Sequence, residues 1–246
     1  MNIEPSVAKN QQPFISTRDA IPPLAAASAV FPLPICYGLA TKSAWQLGIG
    51  LPSVRKVFLN SFKIAPALGV IVGIQMFAKR AFENSSKEYF EQKGTSSYIF
   101  EFISSSVGAI ASIYPLAGIN AMFGGKSFFK SMKNLTLKQA GATFVRETTF
   151  VLSLSLSEPL MEKMKSIYGD NQKVEYASAA ASGAFGSICG HPFDTILTCE
   201  QEGKKVVSFK HLSRGLFPRA ISIATFAMCY HYMQKMLKEK IIPTKE

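Results

Sequence analysis

Six long stretches with almost no charge constrain this chain more than any other feature. No residue is charged between Asp19 and Lys42, or between Glu101 and Lys126. A hydrophobic run of about 18 residues or more predicts a membrane-spanning helix, because a helix of that length crosses the hydrocarbon core. The sequence therefore predicts an all-α membrane protein with six transmembrane helices. The other four stretches are 64–78, 140–157 (interrupted by Arg146 and Glu147), 176–193 and 220–234.

The basic residues lie in alternate links between these stretches. A net charge of +11 first suggests nucleic acid, but apolar residues make up 48% of the chain and charged residues only 17%. The links 42–62, 126–138 and 204–214 carry Lys and Arg without any acid, whereas 79–101 and 158–175 carry both signs. This alternation is the positive-inside pattern of a six-helix protein with both termini on the side opposite the basic links. It argues against a nucleic-acid partner, and a soluble basic domain remains the alternative.

Motifs for catalysis are missing from the sequence. There is no phosphate-binding glycine loop, metal-ligand cluster or nucleophile–base pair, so we predict no enzyme, metal or cofactor. The four cysteines lack metal-ligand spacing and are predicted to be packing residues, with His191 and His231 structural. Residues 1–19 form a polar tail without a cleavable signal, so the first spanning segment is expected to direct insertion.

The chain repeats itself three times after this tail. FPLPICYGLATKS (31–43), YPLAGINAMFGGKS (114–127) and HPFDTILTCEQEGKK (191–205) each run from a ring and a proline to a lysine. The prolines Pro32, Pro115 and Pro192 lie 83 and 77 residues apart. We predict three two-helix repeats, 20–90, 91–170 and 171–246, with pseudo-threefold symmetry, a plan that recurs in transporters.

A second interval supports the repeats. Lys63 follows Pro32 by 31 residues, Arg146 follows Pro115 by 31, and Ser222 follows Pro192 by 30. Threefold symmetry would place the three side chains at one depth around the axis. Small residues at four-residue spacing precede the prolines, which favours close helix packing. These are Ala25 and Ala29; Ser104, Gly108 and Ser112; and Ala179, Gly183 and Ser187.

The stretch from Pro192 through Asp194 to Gln201 resembles the signature of the mitochondrial carrier family, proline-x-acid-x-x-base-x-base-x-glutamine. Leu197 and Cys199 occupy its two basic positions. The resemblance implies alternating access across the mitochondrial inner membrane, with Pro32, Pro115 and Pro192 bending the odd helices. It also implies a gate near Asp194, braced by Gln201. Pro34 and Ala117 stand at the other two acidic positions, and Tyr37 and Asn120 at basic ones, so we expect no network of three salt bridges. With no matched basic partner for Asp194, we expect a barrier that is weak or built from apolar and polar packing.

The same resemblance places substrate contacts midway along the even helices, at Lys63, Arg146 with Glu147, and Ser222. FVRETTFVLSLSLSE (144–158) and GLFPRAIS (215–222) are similar in style to S-adenosylmethionine carriers. A zwitterion suits these groups, since Arg146 can bind a carboxylate and Glu147 an ammonium group. The alternative is that Arg146 and Glu147 only neutralise each other while Lys63 extends to the membrane interface. Asp194 likewise has an alternative, a position in the interfacial layer.

Arg214, Gly215 and Arg219 resemble the basic-glycine segment with which the family holds cardiolipin at helix N-termini. Anchoring of basic residues at the membrane surface is the alternative. We therefore expect a monomeric integral membrane protein of the mitochondrial inner membrane or a related organelle, in contact with lipids. Its predicted function is transport of a small charged or zwitterionic metabolite, amino-acid-like or S-adenosylmethionine-like. The competing hypothesis is a degenerate carrier fold that serves as a non-transporting membrane adaptor or a mitochondria-directed factor.

Overall fold

The computed structural model describes residues 17–30, 33–123, 125–206 and 208–241, and these parts of the chain are helical without a β-strand. Most described residues of the six uncharged stretches are helical. A 3-10 turn, Thr17–Ala20, leads into α1 (Ile21–Ala29), α2 (Leu33–Leu47), α3 (Val54–Gln92), α4 (Ser97–Phe123), α5 (Phe128–Lys133), α6 (Leu137–Ser155), α7 (Ser157–Tyr168), α8 (Gln172–Gln201), α9 (Phe209–Leu212) and α10 (Leu216–Ile241).

Local sequence explains where several helices begin and end. Thr136 and Gln139 form a reciprocal capping box at the start of α6, which satisfies two backbone groups that have no partner within the helix. Near the end of α6, the hydroxyls of Ser153, Ser155 and Ser157 donate to backbone carbonyls three or four residues earlier. Hydrogen bonds of this kind tend to bend a helix, and the chain breaks between α6 and α7 at Leu156.

The helices pack in chain order and the last returns to the first. α3 packs against α1 and α4, α6 lies between α4 and α8, and α10 packs against α8, α1 and α2. Pro115 lies inside α4 and Pro192 inside α8, and both helices run on past them. Pro32 lies outside the described residues.

Two helical segments are long and apolar enough to cross a membrane, Ile64–Gln92 within α3 and Ser97–Phe123, which is α4. The other predicted spans within the described residues do not meet the same measure. α1 and α2 are too short, with 9 and 15 residues. Polar side chains lower the hydropathy of the longer helices, and many of those in α6 and α8 are buried, including Arg146, Glu147 and Asp194.

Many large apolar side chains are exposed on the outer surface, while the interior holds both apolar and polar side chains. Exposed examples include Val70, Ile74 and Phe77 of α3, Phe102 and Ile110 of α4, Phe185 and Ile188 of α8, and Phe217 and Ile221 of α10. The small residues predicted to let helices approach are all buried. At Gly183 the close approach requires glycine, since a Cβ there would lie 2.7 Å from Ala227 Cβ and 2.8 Å from the Ile223 carbonyl oxygen.

Candidate functional site

Asp194 lies at the meeting point of three cations. The carboxylate is in α8, its residue is 2% exposed, and Lys42 Nζ of α2 lies 2.9 Å from Oδ2. Arg146 Nη1 of α6 is 3.0 Å from Oδ1, and Arg219 Nη1 of α10 is 3.6 Å from Oδ2. Gln46 Nε2 also donates to Oδ2 at 2.9 Å. Together these groups offset the cost of burying a carboxylate.

Arg146 bridges this carboxylate to a second acid. Its Nε lies 2.5 Å from Glu147 Oε1, so the two neighbours predicted to act together form an ion pair. Glu147 Oε2 accepts a further hydrogen bond from Gln75 Nε2 of α3 at 3.3 Å. We call Lys42, Arg146, Glu147, Asp194 and Arg219 the central cluster.

A layer of amides braces the cluster on its α4 side. Lys42 Nζ donates to Asn120 Oδ1 at 3.2 Å, and Asn120 Nδ2 donates to Gln201 Oε1 at 2.7 Å. Gln201 Nε2 in turn donates to the Ala117 carbonyl oxygen at 2.8 Å. Gln201 thus connects α8 to α4 and supports the Lys42–Asp194 pair through Asn120.

A cavity of about 90 Å³ lies against the central cluster. This volume holds a few water molecules or one small ion. Its polar lining is Lys42, Asn120, Arg146, Glu147, Asp194 and Arg219, and its apolar walls include Leu39, Ile223 and Phe226.

Of the other predicted substrate contacts, the Lys63 side chain lies outside the described residues, and Ser222 does not line this cavity. Ser222 is buried against Gly38, where a Cβ would overlap its hydroxyl, and donates to the Pro218 carbonyl oxygen at 2.7 Å.

The expectation that Asp194 lacks a basic partner is wrong. Leu197 and Cys199 do replace the bases of the family motif, yet Lys42, Arg146 and Arg219 reach the same carboxylate from other helices. Asp194 is enclosed by side chains of α2, α6 and α10.

Arg219 does not join Arg214 and Gly215 at a lipid-facing site. It is buried and lines the cavity, because one turn of α10 directs it inward from the helix start. Arg214 is exposed, and Gly215 has φ +81° and sits so close to α2 that a Cβ would lie 2.7 Å from the Lys42 carbonyl oxygen. Both border a surface groove, together with Trp45, Lys210 and Phe217.

A second cluster of charges surrounds Glu175, 19 residues before Asp194 on α8 and so roughly 28 Å away. Lys165 Nζ lies 2.6 Å from Glu175, Lys235 Nζ 3.2 Å and His231 Nε2 3.5 Å. Glu175 precedes the uncharged stretch 176–193. The hydrogen bond from Lys165, with those from Lys235 and His231, lowers the pKa of its carboxyl to about 2.

A cavity of about 280 Å³ adjoins this Glu175 cluster, and Lys79, Arg80, Glu83 and Glu101 also line it. Lys79 pairs with Glu83, and with Glu101 at 3.0 Å, which ties α3 to α4. The mixed charges of 79–101 and 158–175 were the sequence signal for this cluster. No residue pairing could be derived from them, because most partners lie far apart in the chain.

Comparison with models of known protein families finds no match, and no curated protein matches the chain. The functional assignment therefore depends on the residues and their geometry.

Proposed function

We propose that this chain is a membrane carrier that moves a small charged metabolite by alternating access. The observation that supports it best is the central cluster, five buried charged side chains from four helices around a cavity. Charged groups deep in a membrane segment are costly and typically mark a substrate or ion pathway. A helical bundle that needed only stability would be served better by apolar packing, since buried ion pairs rarely add net stability.

The proposal includes six spans and a threefold repeat. In its support, helices pack in chain order and close on themselves, and short helices α5 and α9 follow α4 and α8 at matching places. The 30-residue α8 is about 45 Å long, more than the roughly 30 Å of a hydrocarbon core. Apolar side chains on the outer surface suit contact with lipid.

In this proposal the central cluster lines the binding cavity and closes one side of it, and the Glu175 cluster closes the other side. The Asp194 ion pairs close the end where α8 terminates near Lys126, and the Glu175 cluster lies at the other end. A substrate that competes for Arg146 weakens the contacts of both Asp194 and Glu147, which couples binding to opening. The expected location is the mitochondrial inner membrane or a related membrane, with the protein monomeric and lipid phosphates, including cardiolipin, near Arg214 and Gly215.

Uptake by reconstituted liposomes tests the proposal. The panel contains labelled amino acids, S-adenosylmethionine, nucleotides and short organic acids. Arg146→Lys should reduce uptake at least tenfold, ~1.4 kcal/mol, because one ammonium group cannot replace the planar guanidinium that contacts both acids. Lys87→Gln is the control, since it removes an exposed cation paired with Glu91 at 3.8 Å.

The double variant Arg146→Ala with Glu147→Ala separates binding from neutralisation. It should stay inactive if Arg146 contacts the substrate. Normal uptake by the double variant would contradict the contact, and a folded protein that takes up no solute in the panel would favour the adaptor hypothesis.

A further inference from the structure

The central cluster carries one more positive charge than negative. Lys42, Arg146 and Arg219 are three cations, and Glu147 and Asp194 are two anions, so the sum over these described side chains is +1. All five side chains are at most 8% exposed. A buried charge without a counter-ion is costly, so the cluster is electrostatically incomplete.

The excess charge falls on Arg219. Its Nη1 is fully buried and has no hydrogen-bond partner among the described residues. The nearest acid, Asp194 Oδ2, lies 3.6 Å away and already accepts from Gln46 and pairs with Lys42 at 2.9 Å. Arg146 is better satisfied, with contacts of 2.5 Å to Glu147 and 3.0 Å to Asp194. Arg219 is therefore the cation that an incoming anion would satisfy.

We propose that the cavity binds a monocarboxylate, a substrate whose net charge is −1, with Arg219 as its principal ligand. This inference rests on the proposed function and narrows its substrate class. One carboxylate brings the cluster to neutrality and gives Arg219 Nη1 the acceptor it lacks. The apolar walls at Leu39, Ile223 and Phe226 suit a short alkyl group.

The same charges discriminate against other small solutes. A dianion would bring the cluster to −1 beside Asp194 and Glu147, which repel it. A zwitterion leaves the excess positive charge in place, and its ammonium group would have to displace Arg146 from Glu147. The cavity of about 90 Å³ has room for a molecule near the size of acetate, which would contact Arg219 Nη1 once the guanidinium group turns toward it.

Thermal unfolding of the purified protein in detergent tests this substrate class without relying on transport. Sodium acetate should raise the unfolding temperature in a concentration-dependent and saturable way. Acetamide, which has the same shape without the charge, and glycine should have little effect. Sodium chloride at equal concentration controls for ionic strength.

Arg219→Gln provides the matched variant. It removes the excess charge, so the unliganded variant should unfold at or above the wild-type temperature, and acetate should no longer stabilise it. Lys87→Gln removes one exposed charge and should keep the full response to acetate. The wild-type comparison of acetate with acetamide decides the question even if Arg219→Gln fails to fold.

Stabilisation by acetamide or chloride equal to that by acetate would overturn the inference, as would an unchanged acetate response in Arg219→Gln. If acetate has no effect but liposomes take up another solute, the monocarboxylate class is wrong and the carrier function stands. If acetate stabilises the protein but no labelled solute is taken up, the binding site stands and the transport function is wrong.

Discussion

Asp194 neutralises charge that would otherwise accumulate where α2, α6 and α10 meet. Its two oxygens pair with Lys42 and Arg146 at 2.9 and 3.0 Å, and Arg219 lies at 3.6 Å. Removal of the carboxylate charge would leave three buried cations facing Glu147 alone. Because buried cations without a counter-charge are costly, the consequence should appear in folding as well as in transport.

We expect Asp194→Asn to lower the free energy of unfolding by ~3–5 kcal/mol, the usual effect of removing one partner of a buried ion pair. Asparagine has almost the same size as aspartate, so the loss of stability measures the removal of the charge. The measurement is unfolding in detergent, with Asp170→Asn as control. Asp170 is 82% exposed in its pair with Lys165, and its replacement should change stability by less than ~1 kcal/mol. Equal stability of the two variants would contradict burial of the three cations.

Some site residues could be predicted from the sequence and others could not. Asp194 and Gln201 were identified through the motif that they share with a known family, and Arg146 and Glu147 because charges are rare in an apolar helix. Lys42, Gln75 and Arg219 were missed as members of the site. Lys42 was assigned to a basic link because the sequence does not show that α2 continues to Leu47. Arg219 was assigned to lipid because Arg214, Gly215 and Arg219 resemble the basic-glycine segment of the mitochondrial carrier family.

At the scale of helices, close approach of α8 to its neighbours depends on positions without a side chain. Gly183 lies against the Ile223 carbonyl and Ala227 of α10. Gly190 lies against α6, where a Cβ would be 2.5 Å from Thr149 Oγ1. Backbone atoms cannot move aside as flexible side chains can, so these contacts fix the spacing of helices that carry Asp194, Arg219 and Arg146.

We expect Gly183→Ala to destabilise the protein by ~1–3 kcal/mol, because the added methyl group overlaps backbone atoms of α10. Gly141→Ala is the matched control. Gly141 is also helical, but a Cβ there meets no atom within 4 Å, so alanine should stabilise α6 by ~0.5–1 kcal/mol. Opposite signs in the two unfolding temperatures support the packing. A neutral or stabilising Gly183→Ala would show that α8 and α10 are further apart.

The helices themselves were more predictable than their limits. The described residues of the uncharged stretches lie mostly in α1, α2, α3, α4, α6, α8 and α10, because long apolar runs without charge can be read directly from the order of residues. The 39 residues of α3 and the break at Leu156 were not predicted. Both depend on interactions that the apolar pattern does not show. Ser53 caps the start of α3 directly after a short link, and the break at Leu156 follows serine hydroxyls that donate to backbone carbonyls.

At the scale of the whole molecule, the two charge clusters lie toward opposite ends of α8. Glu175 is in its first turn, and Asp194 is near its last turns. α8 ends at Gln201. Lys126 donates to the Gln201 carbonyl oxygen and pairs with Glu202 at 3.3 Å, so the α4–α6 link lies at this end of α8. The α7–α8 link, which contains Asp170, lies at the other end.

The last prediction concerns how the molecule sits in a membrane. If α8 spans the bilayer, single cysteines at Lys130 and Asp170 should face opposite compartments, since about 45 Å of helix separates the two links. The assay uses a membrane-impermeant maleimide on sealed and opened vesicles, in a background with Cys36, Cys189, Cys199 and Cys229 replaced by alanine. One position should react in sealed vesicles and the other only after opening. Reaction of both positions from the same side would contradict a spanning α8, and with it the six-span carrier and the use of the two clusters as opposing barriers.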